Sequence, residues 1–214
     1  MHTTPRRLYL GLLPGGMTQM ALADHRSYWQ WTEGAILPSP RRFHLTLHFL
    51  GEVDARREAM LIAALENVKF EGPVHLSCNS QQVWRNGVAV LLPDASEALD
   101  DLRDALGFAM FQSALPLPVS QWTPHVTLAR NAQGSLPPDS SPPVQWEARD
   151  YALVWSKEAG TRRADYEIVA RFPIAAPTAA TPLARSGPAR AGQPVSPAMP
   201  AVPARGPWQP GLAA

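Results

Sequence analysis

The chain has 214 residues, of which 45% are hydrophobic, so it is long enough to bury the core of one or two compact units. Its formal net charge of +1 excludes the class of strongly basic proteins that coat nucleic acid without specificity. A single cysteine, Cys78, excludes an internal disulfide framework and fits a reducing compartment. No apolar run has membrane-spanning length, and we expect a cytoplasmic protein without a membrane partner.

The first half of the chain predicts strands that alternate with helices. An apolar run over residues 8–13 predicts a buried first strand, and the segment 17–31 predicts a helix that includes Trp29 and Trp31. Alternation of apolar and polar residues predicts a strand over 43–50. Asp54 then caps a predicted helix. The apolar stripe of that helix consists of Leu61, Ile62, Leu65 and Val68.

The second half predicts more strands and one further helix. Its strands cover residues 74–78, 88–92, 123–130, 144–156 and 164–172. Asn86-Gly87 is a turn signal between the first two of these strands. A helix is predicted after Pro93-Asp94, where apolar residues recur at helical spacing. This mixed order is typical of an α+β domain with antiparallel sheet.

The composition changes near residue 175. The remainder consists mainly of alanine and proline with scattered Gly, Ser and Arg, contains no acidic residue and shows no periodicity. Such a segment buries too little apolar surface to offset the entropy cost of ordering it. We therefore predict a folded domain over residues 1–175 and a disordered tail over 176–214.

Two short stretches repeat the pattern His-x-Thr-Leu. His44 and Thr46 belong to the first, and His125 and Thr127 belong to the second, 81 residues later. Both stretches alternate at period two, so each histidine shares one face of a strand with the threonine two positions on. The two motif strands occupy corresponding places in the two halves of the domain. We therefore expect two lobes with a site between them.

Two imidazoles that converge on one volume can serve as a general base and a general acid. A single histidine on a strand is more often structural, but two matched motifs favour function. His48 lies two positions beyond Thr46, and uninterrupted alternation predicts that it shares the face of His44. A metal site on His44 and His48 is disfavoured, because residues four apart on a strand are about 13 Å apart.

The motifs and their flanks resemble a known family. Residues 44–53 (HLTLHFLGEV) and 124–130 (PHVTLAR) are similar to the paired motifs of the 2H phosphoesterases. Within that superfamily, the chain most resembles the RNA 2′,3′-cyclic phosphodiesterases, also called 2′-5′ RNA ligases. Residues 7–10 (RLYL) and 166–173 (YEIVARFP) are similar to the first and last strands of that family. The resemblance covers roughly residues 6 to 174.

The resemblance implies a bilobal α+β fold with two antiparallel-sheet lobes, helices outside and a central cleft. It implies metal-independent hydrolysis of RNA 2′,3′-cyclic phosphate ends to 2′-phosphates, without a cofactor, and reversible 2′-5′ ligation. His125 would accept a proton from water, and His44 would donate one to the departing 3′ oxygen. Thr46, Thr127 and Arg130 would bind the phosphate oxygens.

Several alternatives stay open at the level of the sequence. The substrate could be a small cyclic phosphate, such as a nucleotide or an ADP-ribose derivative, or the chain could be a non-catalytic RNA-binding module. Arg130 suits a surface salt bridge nearly as well as a phosphate, and Arg41 and Arg42 suit a solvated loop better than an RNA backbone. For Tyr9 and Trp84, core packing is favoured over stacking on a nucleobase. We expect a monomer.

Overall fold

The computed structural model describes residues 4–116, 121–157 and 165–174, and the predicted tail lies outside the described residues. Within them, the chain forms three α-helices and eight strands. The helices are α1 (Gly16–Ser27), α2 (Ala55–Leu65) and α3 (Glu97–Gln112), and a 3₁₀ turn covers Pro40–Arg42. The strands are β1 (Arg6–Leu12), β2 (Leu45–Val53), β3 (Val74–Val83), β4 (Ala89–Pro93), β5 (Val126–Ala129), β6 (Val144–Ala148), β7 (Asp150–Lys157) and β8 (Asp165–Pro173).

The predicted α+β fold with two antiparallel lobes is confirmed. The strands run in the order β6-β3-β4-β5-β2-β1-β7-β8, and every pairing within this sheet is antiparallel. One lobe contributes β6-β3-β4-β5 and the other contributes β2-β1-β7-β8. The two motif strands, β5 and β2, are the central neighbours that join the lobes, so the site lies at their junction.

The sheet curls, because one residue connects two strands that lie far apart in the strand order. Only Arg149 separates β6, at one edge of the sheet, from β7, which is next to the opposite edge. The prediction of one continuous strand over 144–156 is therefore wrong. The segment contains no glycine, and its prolines precede Val144, so no turn signal marks the break. At the break, the carbonyl of Arg149 accepts a hydrogen bond from the amide of Ile174 at 2.8 Å.

One face of the sheet carries the main core. Leu8, Leu10 and Leu12 of β1 are fully buried there, as are Leu61 and Leu65 of α2. The opposite face holds a smaller apolar cluster around Tyr9, Ala152 and Val154. Because residues alternate between faces along a strand, Tyr9 and the leucines flanking it point in opposite directions. The motif side chains share the face of Tyr9.

The helix boundaries follow their capping residues. Asp54 caps α2 as predicted, since its carboxylate accepts a hydrogen bond from the amide of Arg57 at 2.9 Å. The cap of α3 is Ser96, three residues beyond the predicted Pro93. Helix α1 ends at Ser27, so the prediction that it reaches residue 31 is wrong. Trp29 and Trp31 instead stack in parallel with ring centroids 4.8 Å apart.

Candidate active site

The pairing of β2 with β5 brings the two motifs together. Leu45 pairs with Val126 in this antiparallel register. Continuing the register by one residue in each direction places His44 opposite Thr127, and Thr46 opposite His125. All four side chains are half-buried and share the face opposite the main core. The result is a four-cornered arrangement in which each imidazole has a hydroxyl beside it along its own strand and another across the junction.

Both imidazoles are held in the same tautomer by the chain itself. Nδ1 of His44 lies 2.8 Å from the carbonyl oxygen of Arg42, and Nδ1 of His125 lies 2.8 Å from the carbonyl oxygen of Thr123. A carbonyl oxygen only accepts, so each Nδ1 must be the donor. The neutral ring therefore keeps its lone pair on Nε2. Each motif histidine presents Nε2 for proton transfer, and its partner is the residue two positions earlier.

Burial lowers the pKa of both imidazoles in the unliganded protein. The pKa of His44 is lowered to about 4, mainly by desolvation and to a smaller extent by the positive charges of His125, Arg130 and Arg42, against the opposing hydrogen bond to the Arg42 carbonyl. Desolvation also lowers the pKa of His125, with a smaller contribution from Arg130. A neutral imidazole is the form that accepts a proton.

Each motif strand carries a β-bulge at the leucine of its His-x-Thr-Leu pattern. In the β1–β2 register, Gly11 pairs with Thr46 and Leu10 pairs with His48, so Leu47 is the extra residue. In the β4–β5 register, Val90 pairs with Thr127 and Ala89 pairs with Ala129, which makes Leu128 the extra residue. A bulge reverses the alternation of the residues that follow it, and in β2 a second extra residue, Leu50, reverses the alternation again. The two halves of the site thus repeat a local distortion as well as a motif.

The first bulge turns His48 away from the site, so the prediction that it shares the face of His44 is wrong. His48 is 3% exposed, and its Nε2 donates a hydrogen bond to the carbonyl oxygen of Arg103 in α3 at 2.7 Å. Phe49 moves in the other direction. It pairs with Tyr9, and 46% of its surface is exposed on the site face. His44 and His48 therefore face opposite sides of the sheet.

The second bulge places Arg130 on the face of His125. Without the extra residue Leu128, a side chain five positions after His125 would point into the core. Arg130 is exposed, and its charge lowers the pKa of both His125 and His44. The guanidinium therefore lies close enough to both imidazoles for its positive charge to act on each of them.

Two tyrosines lie beside His44, and one of them, Tyr9, was assigned to the core from the sequence. The Tyr9 ring lies 4.9 Å from the His44 ring, and the Tyr166 ring meets His44 edge-on at 5.2 Å. Arg42 lies over the ring of Tyr166 at 4.9 Å, so the assignment of Arg42 to a solvated loop is wrong. The sequence did contain a signal for the position of Tyr9. Tyr9 lies two positions before Gly11 and shares its face, and Gly11 pairs with Thr46 on the neighbouring strand.

Two tryptophans support the other side of the junction. Trp84 meets the ring of His125 edge-on at 4.5 Å. Trp122 donates a hydrogen bond from Nε1 to the backbone carbonyl of Thr46 at 3.0 Å, next to the bulge. Trp122 itself packs against the main core and under the guanidinium of Arg103. These contacts hold the backbone of Thr46 and the ring of His125 in place.

Comparisons with known proteins agree with the motifs. A family model described as "LigT like Phosphoesterase" matches residues 24–90, a range that includes the first motif. The predicted resemblance to the 2H phosphoesterases is confirmed. This match supports an enzyme that acts on phosphodiester bonds. The second motif lies beyond the matched residues, and no curated protein sequence matches the chain.

Solved structures of the LigT-like type share the fold. E. coli LigT without ligand superposes with a TM-score of 0.69 at 22% identity, over 81% of this chain and 99% of LigT. LigT complexed with 3′-AMP gives 0.66 at 22% identity, over 80% and 99% of the two chains. The protein TT0787 of Thermus thermophilus gives 0.64 at 22% identity, over 78% and 97%.

Among the described residues, no helix is long and apolar enough to cross a membrane.

Proposed function

We propose that this protein hydrolyses 2′,3′-cyclic phosphate ends of RNA to 2′-phosphates, with His44 and His125 as the two proton-transfer groups. The observation that carries the proposal is the junction of β2 and β5, where two imidazoles alternate with two threonine hydroxyls on one face. Both rings keep Nε2 available, since both Nδ1 atoms are bound to backbone carbonyls. This arrangement supplies an acid and a base on protein groups alone.

In the proposed reaction, Nε2 of His125 accepts a proton from a water molecule while the water oxygen forms a bond to phosphorus. The bond between phosphorus and the 3′ oxygen breaks, and Nε2 of His44 donates a proton to that oxygen. The hydroxyls of Thr46 and Thr127 donate hydrogen bonds to the non-bridging oxygens, and Arg130 balances their charge. The phosphate remains on the 2′ oxygen.

The donor role requires that His44 gain a proton when the substrate binds. Desolvation and three nearby positive charges hold its pKa at about 4 in the unliganded site. The phosphodiester brings a negative charge that opposes those positive charges and therefore raises the pKa of His44. With an RNA 5′-hydroxyl in place of water as the nucleophile, the same bond changes would form a 2′-5′ linkage and leave a free 3′-hydroxyl.

The surface beside the site supports RNA as the substrate. A groove of about 390 Å³ lies at the end of β1 and β2, on the far side of Tyr9 from Gly11. Its floor includes exposed Phe49, with the guanidinium of Arg7 above the ring at 5.1 Å. Aromatic and guanidinium planes of this kind stack on unpaired bases. E. coli LigT has been solved in complexes with 3′-AMP, ATP and NADP+, which supports a nucleotide-containing substrate here as well.

An oligonucleotide that ends in a 2′,3′-cyclic phosphate tests the proposal. Incubated with the protein and excess EDTA, it is expected to yield only the 2′-phosphate. His44→Ala and His125→Ala should each reduce kcat by at least about 100-fold, the usual contribution of a positioned acid or base. His75→Ala is a matched control, because His75 is exposed on β3.

Four outcomes would contradict parts of the proposal. Loss of activity with EDTA would overturn metal independence, and full activity of either histidine variant would overturn the proton-transfer pair. If a cyclic mononucleotide or a cyclic phosphate of ADP-ribose reacted much faster than the oligonucleotide, the substrate would be the small molecule. Binding of the oligonucleotide without any conversion would indicate the non-catalytic RNA-binding module instead.

A further inference from the structure

Two polar groups next to His44 are buried without a hydrogen-bond partner among the described residues. The hydroxyl of Tyr9 is one, and the side chain as a whole is only 4% exposed. Nε of Arg42 is the other. A buried donor left unpaired costs free energy, so native structures keep few of them. Both lie on the site face, beside the imidazole that we assign as the proton donor.

These groups converge on one corner of the site. The rings of Tyr9 and Tyr166 both contact His44, and they contact each other edge-on with centroids 5.6 Å apart. Arg42 lies over the Tyr166 ring, and its Nη2 is 3.5 Å from the Tyr166 hydroxyl, a long contact. Burial raises the pKa of Tyr9, Tyr166 raises it further and Arg42 lowers it, so these three groups interact. We call Tyr9, Arg42 and Tyr166 the tyrosine–arginine corner.

The corner is separate from the position of the reacting phosphate. The charge of Arg130 lowers the pKa of both His44 and His125, as expected of a cation close to both imidazoles. The ring contact of His125 is with Trp84 and not with a member of the corner. Arg42 lies over the ring of Tyr166, which itself contacts His44, so Arg42 flanks His44 on the side of Tyr166. The site thus has one cation close to both imidazoles, Arg130, and a second beside His44, Arg42. Two cations suit a substrate with two anionic groups.

The chemistry of the corner favours a phosphate over a base or a sugar. A guanidinium only donates hydrogen bonds, and neither the Tyr9 nor the Tyr166 hydroxyl donates a hydrogen bond to any of the described residues. Charge-assisted hydrogen bonds of this type are the strong ones, and Arg matches the oxygens of a phosphate. On a nucleotide whose 2′,3′-cyclic phosphate occupies the centre, the second phosphate is the one on its 5′ oxygen.

We propose that the tyrosine–arginine corner binds the 5′ phosphate, free or diester, of the nucleotide whose cyclic phosphate is opened. This inference rests on the proposed function and narrows its substrate class. RNA ends and 5′-phosphorylated nucleotides carry one anionic group for Arg130 and a second for Arg42. A nucleoside 2′,3′-cyclic phosphate without a 5′ phosphate carries only the group for Arg130. The corner is thus a specificity-determining subsite rather than part of the proton transfer.

Binding of two product analogues tests this subsite without requiring turnover. Adenosine 2′,5′-bisphosphate and adenosine 2′-phosphate differ only in the 5′ phosphate, and their Kd values are measured by titration calorimetry. We expect the bisphosphate to bind at least about tenfold more tightly, a factor that one charge-assisted contact supplies. Tyr9→Phe and Arg42→Gln should each reduce that ratio and leave the Kd of the 2′-phosphate within about threefold. Arg42→Gln keeps the backbone carbonyl that orients His44.

Matched controls are available nearby. Arg41→Gln removes an exposed arginine from the same turn, and Tyr28→Phe removes an exposed hydroxyl elsewhere, so both should keep the wild-type ratio. Equal Kd values for the two analogues in the wild type would overturn the subsite, as would an equal loss of both affinities in Tyr9→Phe and Arg42→Gln. These outcomes are independent of the cyclic-phosphate assay, whose failure would instead overturn the proposed function.

Discussion

The two sides of the site share a motif but differ in their surroundings. On one side, His44 is enclosed by Tyr9, Tyr166 and Arg42, and its pKa is lowered to about 4, mainly by desolvation. On the other side, His125 has the edge of Trp84 against it, and its pKa is lowered by burial and by Arg130. The comparison teaches that repeated His-x-Thr strands position two equivalent imidazoles, while the residues around them make the imidazoles unequal.

This inequality bears on the assignment of acid and base. In the unliganded protein, the stronger enclosure of His44 favours its neutral form, which alone would suit a base. The proposed donor role therefore depends on the substrate anion lying close enough to restore its proton. The following experiments separate the two sides, beginning with the largest expected effect.

A cyclic substrate with sulfur in place of the 3′ bridging oxygen separates acid from base. A thiolate leaves without needing a proton, so loss of the general acid no longer matters. We expect His44→Ala to recover at least about 100-fold in kcat relative to the oxygen substrate, and His125→Ala to recover little. Chromatography of the product and a thiol reagent give both rates. Recovery in His125→Ala alone would reverse the two roles.

Replacement of the threonines tests whether the two sides bind phosphate equally. Thr46→Val and Thr127→Val remove one hydroxyl each and keep the shape of the side chain. Loss of a single donor to a developing charge costs on the order of 100-fold in kcat. Because the two threonines occupy equivalent corners, similar losses are expected. Thr46→Ser and Thr127→Ser keep the hydroxyl and should retain most activity, and equal losses in the Ser and Val variants would point to a packing role.

Arg130→Gln tests the cation that both sides share. Removing its positive charge raises the pKa of His44 and of His125, since Arg130 lowers both. A base with a higher pKa becomes protonated at a higher pH, so the acid limb of the profile moves to higher pH. An acid with a higher pKa stays protonated to a higher pH, so the alkaline limb moves in the same direction. The whole profile of kcat/KM should therefore shift to higher pH. Arg56→Gln on the exposed face of α2 should leave the profile in place.

The smallest expected effect is on the free energy of unfolding as pH changes, and it comes from His44. Above pH 6.5, His44 is neutral in the folded and the unfolded chain. Between 6.5 and about 4, the unfolded chain binds a proton that the folded protein excludes, so stability falls as pH falls. The loss is at most about 3 kcal/mol, from about 1.4 kcal/mol per pKa unit. Urea unfolding at pH 7.0 and 4.5 should show a smaller loss in His44→Gln than in the wild type, whereas His75→Gln should match the wild type.

Much of the fold could be predicted because its signals are local. The cap at Asp54, the Asn86-Gly87 turn and the alternation in β2 and β5 each depend on a few neighbouring residues. The break at Arg149 depends on which strand each half of the segment pairs with, and no nearby residue records that choice. Pairing partners are tertiary information, and a window along the chain does not contain them.

In the site, too, local features could be predicted from the sequence, whereas long-range contacts could not. The alternation in each motif predicted that histidine and threonine share a face, and the β2–β5 pairing brings the four residues together. Alternation failed after Leu47, because a bulge adds one residue to one strand of a pair and leaves no composition signal. His48, Phe49 and Arg130 therefore take faces that simple counting does not predict. Arg42 was missed because its contact with Tyr166 spans 124 positions of the chain.

The single-residue link at Arg149 has a consequence for motion. The lobes are hydrogen-bonded to each other at β2 and β5, and they are also connected covalently through Arg149 between β6 and β7. Two connections at separate places restrict rotation of one lobe against the other. We therefore expect no domain closure around the substrate. Binding then requires little reorganisation of the backbone, and the reacting groups already have their working geometry before the substrate arrives.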